Sequence, residues 1–126
     1  MIALIAHNNK KASLVNFVIK NIGFFSRFNL IATHDTANLL TEKTSLSVIH
    51  APHGPEGGDL VIASKVVLKE VNAVFFFRDL LTPLPHEPDI TALLRICDLH
   101  QIPLATNEAT ADCLVKSLCS HNNNFC

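Results

Sequence analysis

Five short apolar runs punctuate the chain: Ile2–Ala6, Asn29–Ala32, Leu46–Ile49, Ala73–Phe77 and Pro103–Ala105. Most are continuous rather than alternating, the pattern of strands covered on both faces. Between them lie segments with helical spacing: Lys10–Ile22, where Leu14, Phe17, Val18 and Asn21 recur at helical steps, then Thr36–Lys43, Asp59–Glu70, Asp89–Gln101 and Asn107–Leu118. This alternation predicts an α/β fold around a parallel sheet. Gly23 suits a helix C-terminal stop, Asp89 follows Pro88 as a cap or first-turn acid, and Asn107 suits an N-cap. With no internal repeat or linker, residues 1–126 read as one domain. The end of the chain, 119–126, contains three consecutive Asn and is expected to be loosely ordered.

Composition narrows the partners. Of 126 residues, 48% are hydrophobic and 17% charged, too apolar for a disordered chain. Ten Lys plus Arg against eleven Asp plus Glu leave a formal charge of -1, so no polybasic surface awaits a nucleic-acid backbone or an anionic membrane. Any anion site must be local. No apolar run approaches the roughly 20 residues of a membrane span, and neither a transmembrane helix nor a signal peptide is expected. Cys97, Cys113, Cys119 and Cys126 all lie in the last third, and reduced thiols in a cytoplasmic protein are expected. Without a CxxC pair or HExxH spacing, no metal site is expected.

In an open parallel sheet, ligands bind outside the carboxyl ends of the strands. The residues just past each run are polar: His7, Asn8 and Asn9; Thr33, His34, Asp35 and Thr36; His50 and His53, leading to Gly54-Pro55-Glu56-Gly57-Gly58-Asp59; Asp79 and then His86-Glu87-Pro88-Asp89; and Thr106 with Asn107. Gly57 and Gly58 let backbone pass close to a ligand, and Asp59 then sits at a helix start. His86 lies in a proline-stiffened loop that would hold an imidazole for proton transfer or carbonyl polarisation. Lys11, four residues after His7, is placed to reach back toward an anion. Each has an ordinary alternative: a helix cap, a solvated loop histidine, an exposed helix lysine.

Taken in order, Ile2-Ala3-Leu4-Ile5-Ala6-His7 with Lys11, Ala32-Thr33 with Thr36, Gly54-Pro55-Glu56-Gly57-Gly58-Asp59, Phe75-Phe76-Phe77-Arg78-Asp79, Pro85-His86-Glu87-Pro88-Asp89 and Ile102–Asp112 resemble the methylglyoxal synthase family. The resemblance covers about residues 1 to 117. It implies a three-layer, Rossmann-type sandwich with a five-stranded, mainly parallel sheet, assembled as a homohexamer. The implied activity is a lyase that converts dihydroxyacetone phosphate to methylglyoxal and inorganic phosphate through an enediolate, without cofactor. Motif by motif, Asp59 is implied as the base and His86 as the donor to the carbonyl oxygen. His7, Asp79 and Asp89 match supporting positions; Lys11, Thr33, Thr36 and Gly54 match phosphate-binding positions, with Asp35 and His53 standing among them.

Departures from the family pattern cluster at this site. Asn8 stands where the family has Asp. The family's Thr-Gly-Thr-Thr-Gly reads Thr33-His34-Asp35-Thr36-Ala37, which sets a carboxylate against a bound phosphate unless a cation such as protonated His34 intervenes. His53 replaces Ser, Arg78 replaces an aromatic residue, and the family's longer C-terminal segment with its arginine has no counterpart before Cys126. Two other functions remain open: a non-catalytic module that senses a small anion or phosphometabolite, and acid–base chemistry on another phosphorylated carbonyl compound.

Overall fold

The computed structural model describes residues 1–121. Five parallel strands, β1 (Ile2–Ala6), β2 (Leu30–Thr33), β3 (Val48–Ala51), β4 (Ala73–Phe77) and β5 (Leu104–Ala105), stand in the order β3-β2-β1-β4-β5. Pairing is in register from Ile2 opposite both Leu30 and Ala73. Each crossover carries helix: α1 (Lys11–Lys20) and α2 (Ile22–Phe25), α3 (His34–Lys43), α4 (Gly58–Val67) and α5 (Glu87–Leu99), with α6 (Glu108–His121) closing the chain. The α/β sandwich and parallel sheet are those expected.

Alternation along the strands divides the core in two. Ile2, Leu4, Ala6, Phe75 and Phe77 face one side, where α1, α2, α3 and α6 supply Leu14, Phe17, Phe25, Leu40 and Val115. Ala3, Ile5, Val74 and Phe76 face the other, against Ile62 and Val66 of α4 and Ile90, Leu93 and Cys97 of α5. Both faces of β1 and β4 are therefore buried, which is why their sequences are unbroken apolar runs.

Three local expectations are corrected. Gly23 does not stop a helix: α1 ends at Lys20, the Asn21 amide donates to the Phe17 carbonyl, and α2 turns Phe24 and Phe25 inward. Strand β3 begins two residues later than Leu46, because pairing with β2 starts at Val48 opposite Leu30, and it runs to Ala51 opposite Thr33, so His50 lies within the strand. His34 and Asp35 belong to the first turn of α3, not to the loop before it. Elsewhere the chemistry agrees with the sequence: the Asn107 side chain accepts from the Thr110 amide, and Asp89 is a first-turn acid of α5. Cys97 and Cys113 are free thiols as expected, whereas Cys119 is disulfide-bonded. Helix α6 continues through His121, into the stretch expected to be loosely ordered; 122–126 lie outside the described residues.

Candidate active site

Strand order reverses between β1 and β4, since β2 and β3 build out to one side and β5 to the other. A crevice opens at the carboxyl ends of strands flanking such a point. Here it is a cavity of about 450 Å³, and the residues leaving β1, β2, β3 and β4 converge on it.

His7 follows β1 directly, and its amide continues the ladder by donating to the Phe77 carbonyl at 3.1 Å. The Asp79 amide donates to His7 Nδ1 at 2.8 Å. A neutral imidazole that accepts at Nδ1 carries its proton on Nε2, and that buried nitrogen has no partner in the protein. Burial, then the fields of His86 and Arg78, hold the His7 pKa below that of an ordinary histidine. The ring packs edge-on to Phe76. Asp79 accepts from the Asn9 side chain at 2.8 Å and from the Leu81 amide at 3.0 Å, and hydrogen bonds from Thr82 and these groups lower its pKa.

Asp59 sits in the first turn of α4, 1% exposed, and neither carboxylate oxygen has a hydrogen-bond partner. His86 caps α5, with Nε2 3.6 Å from Asp59 Oδ2. Burial pushes the Asp59 carboxyl above the ordinary carboxylate range; His86 opposes this and Asp89 adds to it. A buried carboxylate that lacks a hydrogen bond, has raised proton affinity and faces an imidazole is suited to proton abstraction.

The glycines divide their work differently from the expectation. Gly57 takes a left-handed turn at φ 99, and a Cβ on Gly58 would stand 2.0 Å from the Pro52 carbonyl oxygen, so this pair packs the loop on itself. Gly54 is the one that faces the site: a Cβ there would lie 2.9 Å from His86 Nε2 and 3.5 Å from Asp59 Oδ1.

At the other end of the cavity, Lys11 Nζ donates to the Ala6 carbonyl and to Asn8 Oδ1, each at 2.9 Å. Burial lowers its pKa while Asp35 raises it. Thr33 ends β2 and immediately precedes α3, and Thr33, His34 and Asp35 all line the cavity, so the first turn of α3 borders it. The imidazole that meets Asp35 is that of His53, whose Nδ1 stands 3.6 Å from Asp35 Oδ1. Of the residues singled out from sequence, His7, Lys11, Thr33, Asp35, His53, Gly54, Asp59, Asp79 and His86 line the cavity. Thr36 is wholly buried within α3 and Asp89 acts from the side, so neither is part of the lining. Asn9 was missed as the partner of Asp79; three polar residues after β1 were the available signal.

A family model described as the MGS-like domain matches residues 13–106. The chain belongs to this family. Among family relatives, a methylglyoxal synthase of Borreliella afzelii is 54% identical over 117 residues, covering 93% of this chain and 92% of the relative. One of Natranaerobius thermophilus is 52% identical over 117 residues, covering 93% of this chain and 98% of the relative. The crystal structure of methylglyoxal synthase from Elizabethkingia anophelis superposes with a TM-score of 0.85 at 38% identity, covering 90% of this chain and 75% of that one. Among the described residues, no helix is long and apolar enough to cross a membrane.

Proposed function

We propose that this chain is a lyase that converts dihydroxyacetone phosphate to methylglyoxal and inorganic phosphate. The observation that carries the reading is the buried carboxylate of Asp59, without a hydrogen-bond partner in the protein and 3.6 Å from the His86 imidazole, in a cavity with an ammonium and a helix N-terminus at its far end. Support comes equally from relatives named methylglyoxal synthase at about half identity over most of the chain.

The phosphate lies toward Lys11, Thr33 and the first-turn amides of α3, where donors and the helix dipole favour an anion; Gly54, against His86 and Asp59, borders the reacting carbons instead. Asn8 leaves the Lys11 charge uncompensated by its hydrogen-bond partner. Asp59 removes a proton from the carbon next to the carbonyl; ring N–H groups of His86 and His7 donate to the oxygen as it gains charge. From the enediolate, the carbon–oxygen bond to phosphate breaks, phosphate leaves with the bonding pair, and the released enol becomes methylglyoxal. Asp79 and Asp89 act at one remove, Asp79 by placing His7 through its amide and Asp89 through its field on Asp59. This chemistry asks for no organic cofactor, since the carbonyl itself acidifies the proton.

The reading includes a homohexamer and a cytoplasmic location. Exposed Leu80 and Leu81, on the loop leaving β4, favour association through that loop, and a phosphorylated substrate favours a cell interior. Sedimentation and fractionation decide these points.

The test follows methylglyoxal and phosphate release together from dihydroxyacetone phosphate. Equal formation of both by wild type, with a loss of about 10²–10⁴-fold in Asp59→Asn, is expected. Binding without turnover would replace the lyase with a sensing module.

A further inference from the structure

His34 and Asp35 open α3, and His53 leaves β3; the fold brings them together at the phosphate end of the cavity. Asp35 Oδ1 and His53 Nδ1 are 3.6 Å apart, and the rings of His34 and His53 have centroids 4.7 Å apart. One ligand-capable atom of each of the three lies within 4.8 Å of the other two. We propose that His34, Asp35 and His53 bind a divalent ion of the zinc class, which presents an open coordination position to the phosphate.

Two imidazole nitrogens and a carboxylate oxygen form a borderline donor set matched to such an ion, and three protein ligands leave a fourth position free. Bonds of about 2.0–2.2 Å in a tetrahedron set the ligand atoms about 3.4 Å apart. The Asp35–His53 pair already has nearly that separation, and the remaining closure is within reach of side-chain rotation, since these two side chains are 55% and 41% exposed. The Asn38 side-chain nitrogen lies 3.3 Å from His34 Nε2 and the His50 ring stands edge-on to it; ligation through His34 Nδ1 leaves the proton on Nε2, so the Asn38 amide must turn its oxygen to accept it. Such outer contacts orient ligating histidines.

Alone, Asp35 occupies the helix N-terminus that an incoming phosphate would use, and repels it. With a divalent ion on two neutral imidazoles and one carboxylate, the local charge becomes +1 and points into the cavity beside Lys11. The open position toward phosphate rests on the phosphate-binding reading above; ion binding itself does not. The acid–base pair Asp59 and His86 takes no part.

The test uses the full chain, stripped with a chelator and titrated with Co²⁺ as a spectroscopic probe, alongside Asp35→Asn and His53→Ala, with circular dichroism to confirm folding. One Co²⁺ per chain with visible d–d absorption is expected, with affinity reduced by about 100-fold or more in each variant, beyond the 10–100-fold typical of outer contacts. Inorganic phosphate should shift that absorption. No Co²⁺ absorption, equal affinity in both folded variants, or thiolate charge-transfer bands marking a cysteine site would overturn the proposal and leave an exposed ion pair of little energetic weight. An absorption unmoved by phosphate overturns the open position. Turnover by stripped protein that fails to bind Co²⁺ defeats this inference alone; normal Co²⁺ binding without turnover defeats only the lyase.

Discussion

The Asp79 amide donates to His7 Nδ1 across 2.8 Å, tying together the loops that leave the two adjacent strands at the centre of the sheet. The contact fixes the His7 tautomer from the backbone, so the Asp79 carboxylate is not needed for it. His7→Ala is expected to reduce kcat by about 10²–10³-fold, the scale for losing one oxyanion donor, with KM little changed. Asp79→Asn keeps the amide and should cost far less. Steady-state kinetics on both variants separates them, and equal losses would refute the backbone role.

Asp59 exacts a stability cost. Its pKa is raised by burial in the folded state, so the folded chain holds this proton more tightly than the unfolded chain. Below the ordinary carboxylate pKa both states are protonated and nothing is lost; stability then falls as pH rises through the window up to the raised folded value. Asp59→Asn should match wild type in acid and exceed it by about 1 kcal/mol at neutral pH, as is common when a functional group under strain is replaced. Thermal melts across pH measure the difference. A variant less stable at neutral pH would contradict the burial argument.

The same carboxylate sets the acid limb of the rate profile. Since Asp59 must be ionised to take a proton, kcat/KM should rise with pH around a midpoint above the ordinary carboxylate range, and the limb should vanish from the residual activity of Asp59→Asn. A midpoint at or below the ordinary value would remove Asp59 from that role.

Gly54→Ala places a methyl 2.9 Å from His86 Nε2, so the imidazole must yield. Displacing a catalytic group by about an ångström costs on the order of 10²-fold. That loss is expected in kcat, with the melting temperature nearly unchanged because the clash falls on a side chain and not on backbone.

Gln101 follows α5 in the left-handed region at φ 54, and the Ile102 amide closes the end by donating to the Cys97 carbonyl at 2.9 Å. Glycine relieves such a conformation. Gln101→Gly should therefore raise stability by about 0.5–1 kcal/mol in chemical denaturation, with activity untouched.

Legibility in the sequence followed physical locality. Strands β1 and β4 could be bounded to the residue because burial on both faces demands unbroken apolar runs. Strand β3 could not: Leu46 packs on the core without pairing, while His50 pairs without being buried. The helix start at His34 was hidden because polar first-turn residues resemble a loop. Asp59 and His86 were readable from their motifs, but their 3.6 Å separation joins two crossovers and has no local signature. The Asp35–His53 contact escaped for the same reason, and with it the histidine cluster, whose ligands come from two strand ends and follow no contiguous spacing.

The hydrogen bond from the His7 amide to the Phe77 carbonyl extends the most deeply buried ladder of the sheet into the site. Amide protons there can reach solvent only when the central strands separate, whereas those of the His53–Gly57 turn are released by a local opening. Deuterium should therefore enter the two walls of the cavity at rates set by different events, one global and one confined to a few residues. His7, the proposed oxyanion donor, is thus mounted on the slowest-opening part of the molecule, while the turn across the cavity opens independently of it.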